Sequence, residues 1–226
     1  HVKHVIISDK IIPEISVNDA SVMLGIPKAT TAATGIDALT HALESYVSVG
    51  AHKLTDYISL EAIKTIAENL PAAVDDGTDI NAREMMAYGQ FIAGLSFNSA
   101  GLGMVHAMAH PAGAHKDLPH GVCNAILLPI VSEFNRPHRV EKFAKVAEVL
   151  GVDTSDMTEE QASLAAIDAL HALNRRVGIP EGFGELGVTK QDILSWVDDA
   201  LADPCAGGNP CPMTKDQVIE LYKKAL

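Results

Sequence analysis

From Ile36 onward the apolar residues recur with the period of an α-helix. Ile63, Ile66, Ala67 and Leu70, and likewise Phe143, Val146, Ala147 and Leu150, fall at i, i+3, i+4 and i+7. Each run therefore presents one apolar stripe to a core and a polar face to water. Thr158 with Gln161, and Thr214 with Gln217, have the capping-box form that satisfies the free N–H groups at a helix start. The pattern predicts helices over 36–49, 56–70, 80–97, 102–112, 121–134, 139–150, 159–177, 190–202 and 215–225. Between them DDGTD, GIPEGFGELG and DPCAGGNPCP are rich in turn formers. Ahead of the helices the β-branched run Val5, Ile6, Ile7 predicts one short strand. The stretch that follows, punctuated by Pro13, Gly25, Pro27 and Gly35, predicts a linker. The fold class expected is all-α, with a short N-terminal β remnant. A lone strand is unstable without a partner, so the chain is expected to start inside a larger protein.

Composition agrees with helices. Hydrophobic residues make up 47% of the 226 positions but aromatic ones only 4%, and Ala-rich segments favour close-packed helices over a β-sandwich. A net charge of -12 repels phosphate backbones and anionic lipid surfaces. Small molecules and copies of the same chain are the expected partners, with no nucleic acid and no membrane. Cys123, Cys205 and Cys211 are too few for a disulfide scaffold and point to reduced thiols in the cytoplasm. The pair Cys205 and Cys211 fits structural zinc poorly, since such sites want two close Cys pairs or a Cys pair with a His pair.

Two groups of residues carry chemistry. In TGIDALTHALESY, Asp37 and His41 stand at i, i+4 on one helical face, a spacing that on its own is more often a surface ion pair. In GLGMVHAMAHPAGAHKDLPHG, His106, His110, His115 and His120 crowd into a short span. His106 and His110 share a helical face among Gly, Ala and Met, where a ring without a polar partner is costly to bury. A metal or cofactor would supply that partner. His115, beside Lys116 and Asp117 in a polar loop, reads instead as a histidine bonded to backbone carbonyls. One carboxylate with two or three imidazoles and no thiolate suits Fe²⁺, Zn²⁺, Mn²⁺ or Co²⁺ and disfavours Ca²⁺ and Mg²⁺. Local spacing alone makes His106 and His110 the imidazole pair. GLGMVH lacks the third glycine of a dinucleotide-binding turn and the strand before it, so Gly101 and Gly103 read as close-packing or helix-start glycines.

Taken together, TAATGIDALTHALESYVS, GLGMVHAMAHPAGAHKDLPHGVCNAILLP and the later Asn209-Pro210 segment resemble the iron-containing (group III) alcohol dehydrogenases over almost the whole chain. The resemblance implies that Asp37, His41, His106 and His120 hold one Fe²⁺, with Zn²⁺ as the alternative ion. It moves His110 off the metal, to a place near the nicotinamide and substrate, as a catalytic and cofactor-contacting residue. It implies the helical half of a dehydroquinate-synthase-like fold. Residues 1–30 would then be the remnant strand and linker of an N-terminal α/β domain carrying the NAD or NADP phosphate turn, and residues 31–226 the metal-binding domain. The implied reaction is metal-assisted hydride transfer between a primary alcohol or diol and NAD(P), in a homo-oligomer, with this piece inactive by itself. The alternatives are a zinc-dependent polyol dehydrogenase of the same fold and a non-catalytic assembly domain with a structural metal.

Overall fold

The structure, a computed structural model, describes residues 3, 5, 6 and 8–226. Among these residues it is built of helices: α1 (Lys28–Val47), α2 (Lys53–Asp75), α3 (Ile80–Ala100), α4 (Met104–Lys116), α5 (His120–Asn135), α6 (Val140–Val149), α7 (Glu159–Val177), α8 (Lys190–Ala202) and α9 (Lys215–Lys224). Short 3-10 turns lie between some of them, including Pro204–Gly208 ahead of α9. The all-α expectation is met. The capping boxes at Thr158 and Thr214 form as the spacing requires, and Thr189 with Asp192 adds another at the start of α8. No single helix among the described residues is long and apolar enough to cross a membrane.

Two local expectations need correction. Val5 and Ile6 form no strand, and Ile7 lies outside the described residues. Extended backbone needs a neighbouring strand to take its N–H and C=O groups, and none is present among the described residues. The linker also ends earlier than its turn-forming residues suggest, because α1 starts at Lys28, behind Pro27, and runs straight through Gly35. That glycine serves packing instead of a turn. A Cβ there would come within 2.3 Å of Leu70 Cδ1, so its absence lets α1 lie close against α2.

The core is assembled from the stripes the sequence shows. Ile63, Ile66 and Leu70 of α2 and Phe143, Val146 and Ala147 of α6 are all buried. Trp196 stands edge-on between Phe183 and Tyr222, with ring centroids 6.0 and 5.6 Å away, and the Tyr222 hydroxyl donates to the Met108 carbonyl of α4 at 2.6 Å. Large aromatic burial of this kind stabilises by ~2 kcal/mol or more per side chain. Where the end of α1, the start of α2 and the end of α3 meet, the hydroxyls of Ser45, Ser59 and Ser96 form a buried triangle with Oγ separations of 2.7, 2.6 and 2.6 Å. Each hydroxyl can donate once and accept once, so the triangle fixes the register of α1 without leaving an unpaired group. This matters because α1 carries Asp37 and His41.

Candidate metal centre

Three helices bring the chemistry-bearing residues together. Asp37 and His41 lie in the middle of α1, His106 and His110 on the first two turns of α4, and His120 is the first residue of α5. The link from α4 to α5 is short. Asp117 takes the left-handed conformation (φ 54°) at the end of α4, and Pro119 precedes His120, so the chain reverses and returns His120 to the same chamber.

One ligand atom from each of Asp37, His41 and His106 lies within 4.8 Å of the others. His120 joins through Asp37, whose Oδ1 is 3.5 Å from His120 Nε2 and 3.7 Å from His106 Nε2. The His41 ring stacks between His106, at 4.5 Å, and Phe97, at 4.6 Å. Burial pushes the His41 imidazole down to about 4, helped by His106 and opposed by the Asp37 and Glu44 carboxylates. Burial likewise lowers His120 to about 4, with Asp37 opposing. Both rings are therefore neutral near pH 7, the protonation state in which imidazole binds a cation.

His106 tests whether this chamber suits a metal. Its Nδ1 is 2.6 Å from Glu44 Oε2, and because a carboxylate oxygen can only accept, Nδ1 carries a proton, so that the neutral ring presents its lone pair at Nε2. That Nε2 is buried and has no hydrogen-bond partner, and neither has His120 Nδ1. An unpaired buried acceptor costs ~1–3 kcal/mol, and a cation among these donors would remove that cost at Nε2. Neutral imidazoles with one carboxylate and no thiolate match a borderline divalent ion such as Fe²⁺ or Zn²⁺.

His110 is held apart from this group. Its Nδ1 donates to Asp203 Oδ2 at 2.7 Å, with both side chains below a tenth exposed. Asp203 Oδ1 also accepts from the backbone N–H of Cys205 at 2.8 Å. Burial would raise the Asp203 carboxyl, but the bonds from His110 and Cys205 outweigh it and hold it below the usual range. His110, Asp203 and Cys205 form a second donor cluster, yet its members satisfy one another, which the first group does not. The His110 ring stacks on His120 with centroids 5.3 Å apart, so it borders the chamber while bonded outside it. His115 lies in the last turn of α4, not in a loop, and bonds to the Asp199 side chain (Oδ2, 2.9 Å) instead of a backbone carbonyl; it takes no part. The three cysteines are free and buried, and burial pushes the Cys123 thiol up to about 12 and raises Cys205 and Cys211 as well.

Sequence reasoning missed three residues here. Glu44 stands three positions after His41 and seven after Asp37, on the same face of α1, a periodicity that was open to view. Asn124, one turn after His120, donates from Nδ2 to Asp37 Oδ1 at 2.5 Å and lies 3.0 Å from His120 Nε2. Asp203 had no comparable signal, being far from His110 along the chain.

Comparison with known proteins places the chain. Residues 31–226 match the family profile described as the Fe-containing alcohol dehydrogenase family, C-terminal. The chain is similar to the lactaldehyde reductase of Escherichia coli (strain K12), 47% identical over 223 residues that cover 99% of this chain and 58% of that protein. It is also similar to the NAD-dependent methanol dehydrogenase of Bacillus methanolicus, 42% identical over 225 residues, covering 100% of this chain and 59% of that protein. The crystal structure of a 1,3-propanediol oxidoreductase superposes with a TM-score of 0.94 at 43% identity, over 95% of this chain and 56% of the other. A sulfoacetaldehyde reductase from Bifidobacterium kashiwanohense in complex with NAD+ superposes with a TM-score of 0.84 at 28% identity, over 96% of this chain and 56% of the other. The chain thus spans less than two thirds of the length of these relatives. It belongs to the iron-containing alcohol dehydrogenase family and carries the all-helical C-terminal domain of that family.

Proposed function

We propose that this chain is the metal-holding part of an NAD(P)-dependent dehydrogenase that interconverts a small primary alcohol or diol and its aldehyde. The observation that carries the reading is the buried, unpartnered Nε2 of His106, facing Asp37 in a chamber lined by His41 and His120. Asp37, His41, His106 and His120 would hold the ion, Fe²⁺ by family membership and Zn²⁺ by ligand chemistry alone. When bound, the ion supplies Lewis acidity toward the substrate oxygen while hydride moves to or from the nicotinamide.

The chain's own residues do the rest. Neutral His41 and His120 keep the chamber free of competing positive charge. His110, fixed by Asp203 through Nδ1, keeps its other nitrogen as an acceptor at the chamber edge, where it can orient a substrate hydroxyl or take up its proton. That nitrogen role is what family resemblance also implies for His110. Residues 1–30 are read as the junction to an N-terminal nucleotide-binding domain, which would supply the phosphate turn for NAD or NADP. The whole protein is read as a homo-oligomer.

The test uses the full-length protein loaded anaerobically with Fe²⁺ and offered lactaldehyde, 1,3-propanediol and short primary alcohols with NAD(H) or NADP(H). Metal-dependent change in nicotinamide absorbance is expected with at least one of them. Stoichiometric metal without any nicotinamide-linked turnover would instead favour a structural metal in an assembly domain.

A further inference from the structure

Helix α4 begins without a side-chain cap of its own. Gly103, at its N-cap, has nothing to offer the free N–H groups of the first turn. Met104 N donates to Asn209 Oδ1 at 3.2 Å, and the next two groups are served from α1: Glu44 Oε1 accepts from Val105 N at 2.6 Å and Glu44 Oε2 from His106 N at 3.4 Å. The same Oε2 accepts from His106 Nδ1 at 2.6 Å. Glu44 is 2% exposed and His106 1%, so neither can exchange these bonds for water. The approach depends on Gly103 having no side chain, because a Cβ there would come within 2.9 Å of Glu44 Oε1. One carboxylate thus sits on the positive end of a helix and on the ring of a metal-facing histidine at once.

We propose that Glu44 is a positioning residue of the metal centre, holding His106 as the Nδ1–H tautomer so that a bare Nε2 faces Asp37. A carboxylate behind a metal-binding imidazole fixes ring orientation and tautomer and makes the free nitrogen a better donor. In this chain the carboxylate is itself fixed by the start of α4, so ring orientation and helix position are set together. The inference rests on the metal reading above for its consequence, but the tautomer is a property of the protein alone.

A cap and a tautomer lock can be separated with Glu44→Gln. The Gln carbonyl oxygen can still accept from Val105 N–H, keeping the shorter of the two cap bonds and giving up only the 3.4 Å one from His106 N–H. Its NH₂ group then faces His106 Nδ1, and two donors cannot meet there. Turning the amide over only moves the conflict to Val105 N–H, which has no other tautomer. His106 relieves it by moving its proton to Nε2, directly into the chamber.

The experiment measures Zn²⁺ affinity by competition with a chromophoric chelator, the thermal midpoint of the chelator-treated protein, and the protonated nitrogen of His106 by long-range proton–nitrogen NMR. The expected result is Nδ1–H in the wild-type protein and Nε2–H in Glu44→Gln. Zn²⁺ affinity should fall ~10–100-fold in the variant, with little change in thermal midpoint. Unchanged affinity with a lowered midpoint would make Glu44 a cap only and overturn the proposal. Should Glu44→Gln fail to fold, the wild-type spectrum decides, since Nε2–H there would equally overturn it. If the wild-type protein binds no Zn²⁺ or Fe²⁺ at all, the metal reading fails while the tautomer measurement still judges Glu44.

Discussion

Replacing His41 with Phe isolates the cost of keeping an imidazole neutral inside this chamber. The substitution keeps a flat ring between Phe97 and His106, where the stack has centroid distances of 4.6 and 4.5 Å, and removes the titration. In the folded chain His41 protonates only at about 4, against 6.5 when free. As pH falls below 6.5 the unfolded chain binds a proton that the folded chain refuses, so folding loses stability down to about pH 4 and levels off beneath it. The difference of about 2.5 pH, at ~1.4 kcal/mol for each, gives about 3.5 kcal/mol. The ring is partly open to solvent, which makes that figure an upper bound. Urea denaturation of chelator-treated wild-type and His41→Phe protein at about pH 7.5 and about pH 4.5 reads the effect as a difference of differences, in which carboxylates and histidines away from the chamber cancel. Because the titration runs on to about pH 4, the comparison at about pH 4.5 reads most of that, and wild-type protein should lose up to ~2.5 kcal/mol relative to the variant. A gap that stays constant with pH would refute the claim that His41 is held neutral by burial.

Because the proposed ligands come from three helices, a bound ion would tie α1, α4 and α5 together; adding chelator should lower the thermal midpoint and restoring Fe²⁺ or Zn²⁺ should raise it again, as calorimetry would show. In the full-length protein His110→Ala should reduce turnover far more than metal content, and proportional loss of both would make His110 a ligand. Ser96→Ala should cost ~1–2 kcal/mol in a denaturant titration by removing one corner of the buried hydroxyl triangle; no loss would mean that the triangle does not fix α1. The apolar side chains of Ile11, Ile12, Ile15, Val17 and Val22 are exposed, and sedimentation at rising concentration should reveal self-association that their replacement by Ser reduces.

The helices were legible because burial on one face writes itself into sequence as a 3.6-residue period, and α7 and α8 have the bounds that their caps and stripes predict. The first turns of α1 were not, because Thr, Ala and Gly35 look like loop until Leu70 is seen occupying the space a side chain would fill. Asp37 and His41 were visible as an i, i+4 pair and the four histidines as a cluster. Local spacing could not divide that cluster, since His106 and His110 share a face of α4 equally well. What separates them in the structure is a partner from a distant segment, Asp203, which takes up His110 and leaves His106 Nε2 free. Glu44 was within reach of the same periodicity. Its role became evident only once α4 was seen to start against it.

Metal content decides whether Asp37, His41, His106 and His120 form one ion site. Protein purified anaerobically, alongside His106→Ala, His120→Ala and His115→Ala variants, should be analysed for iron and zinc and titrated with each ion after chelation. About one transition-metal ion per chain is expected in the wild-type protein. Most of that ion should be lost in His106→Ala and His120→Ala, and all of it kept in His115→Ala, whose ring is bonded to Asp199 away from the chamber. Undiminished metal in both His106→Ala and His120→Ala would contradict the single ion site.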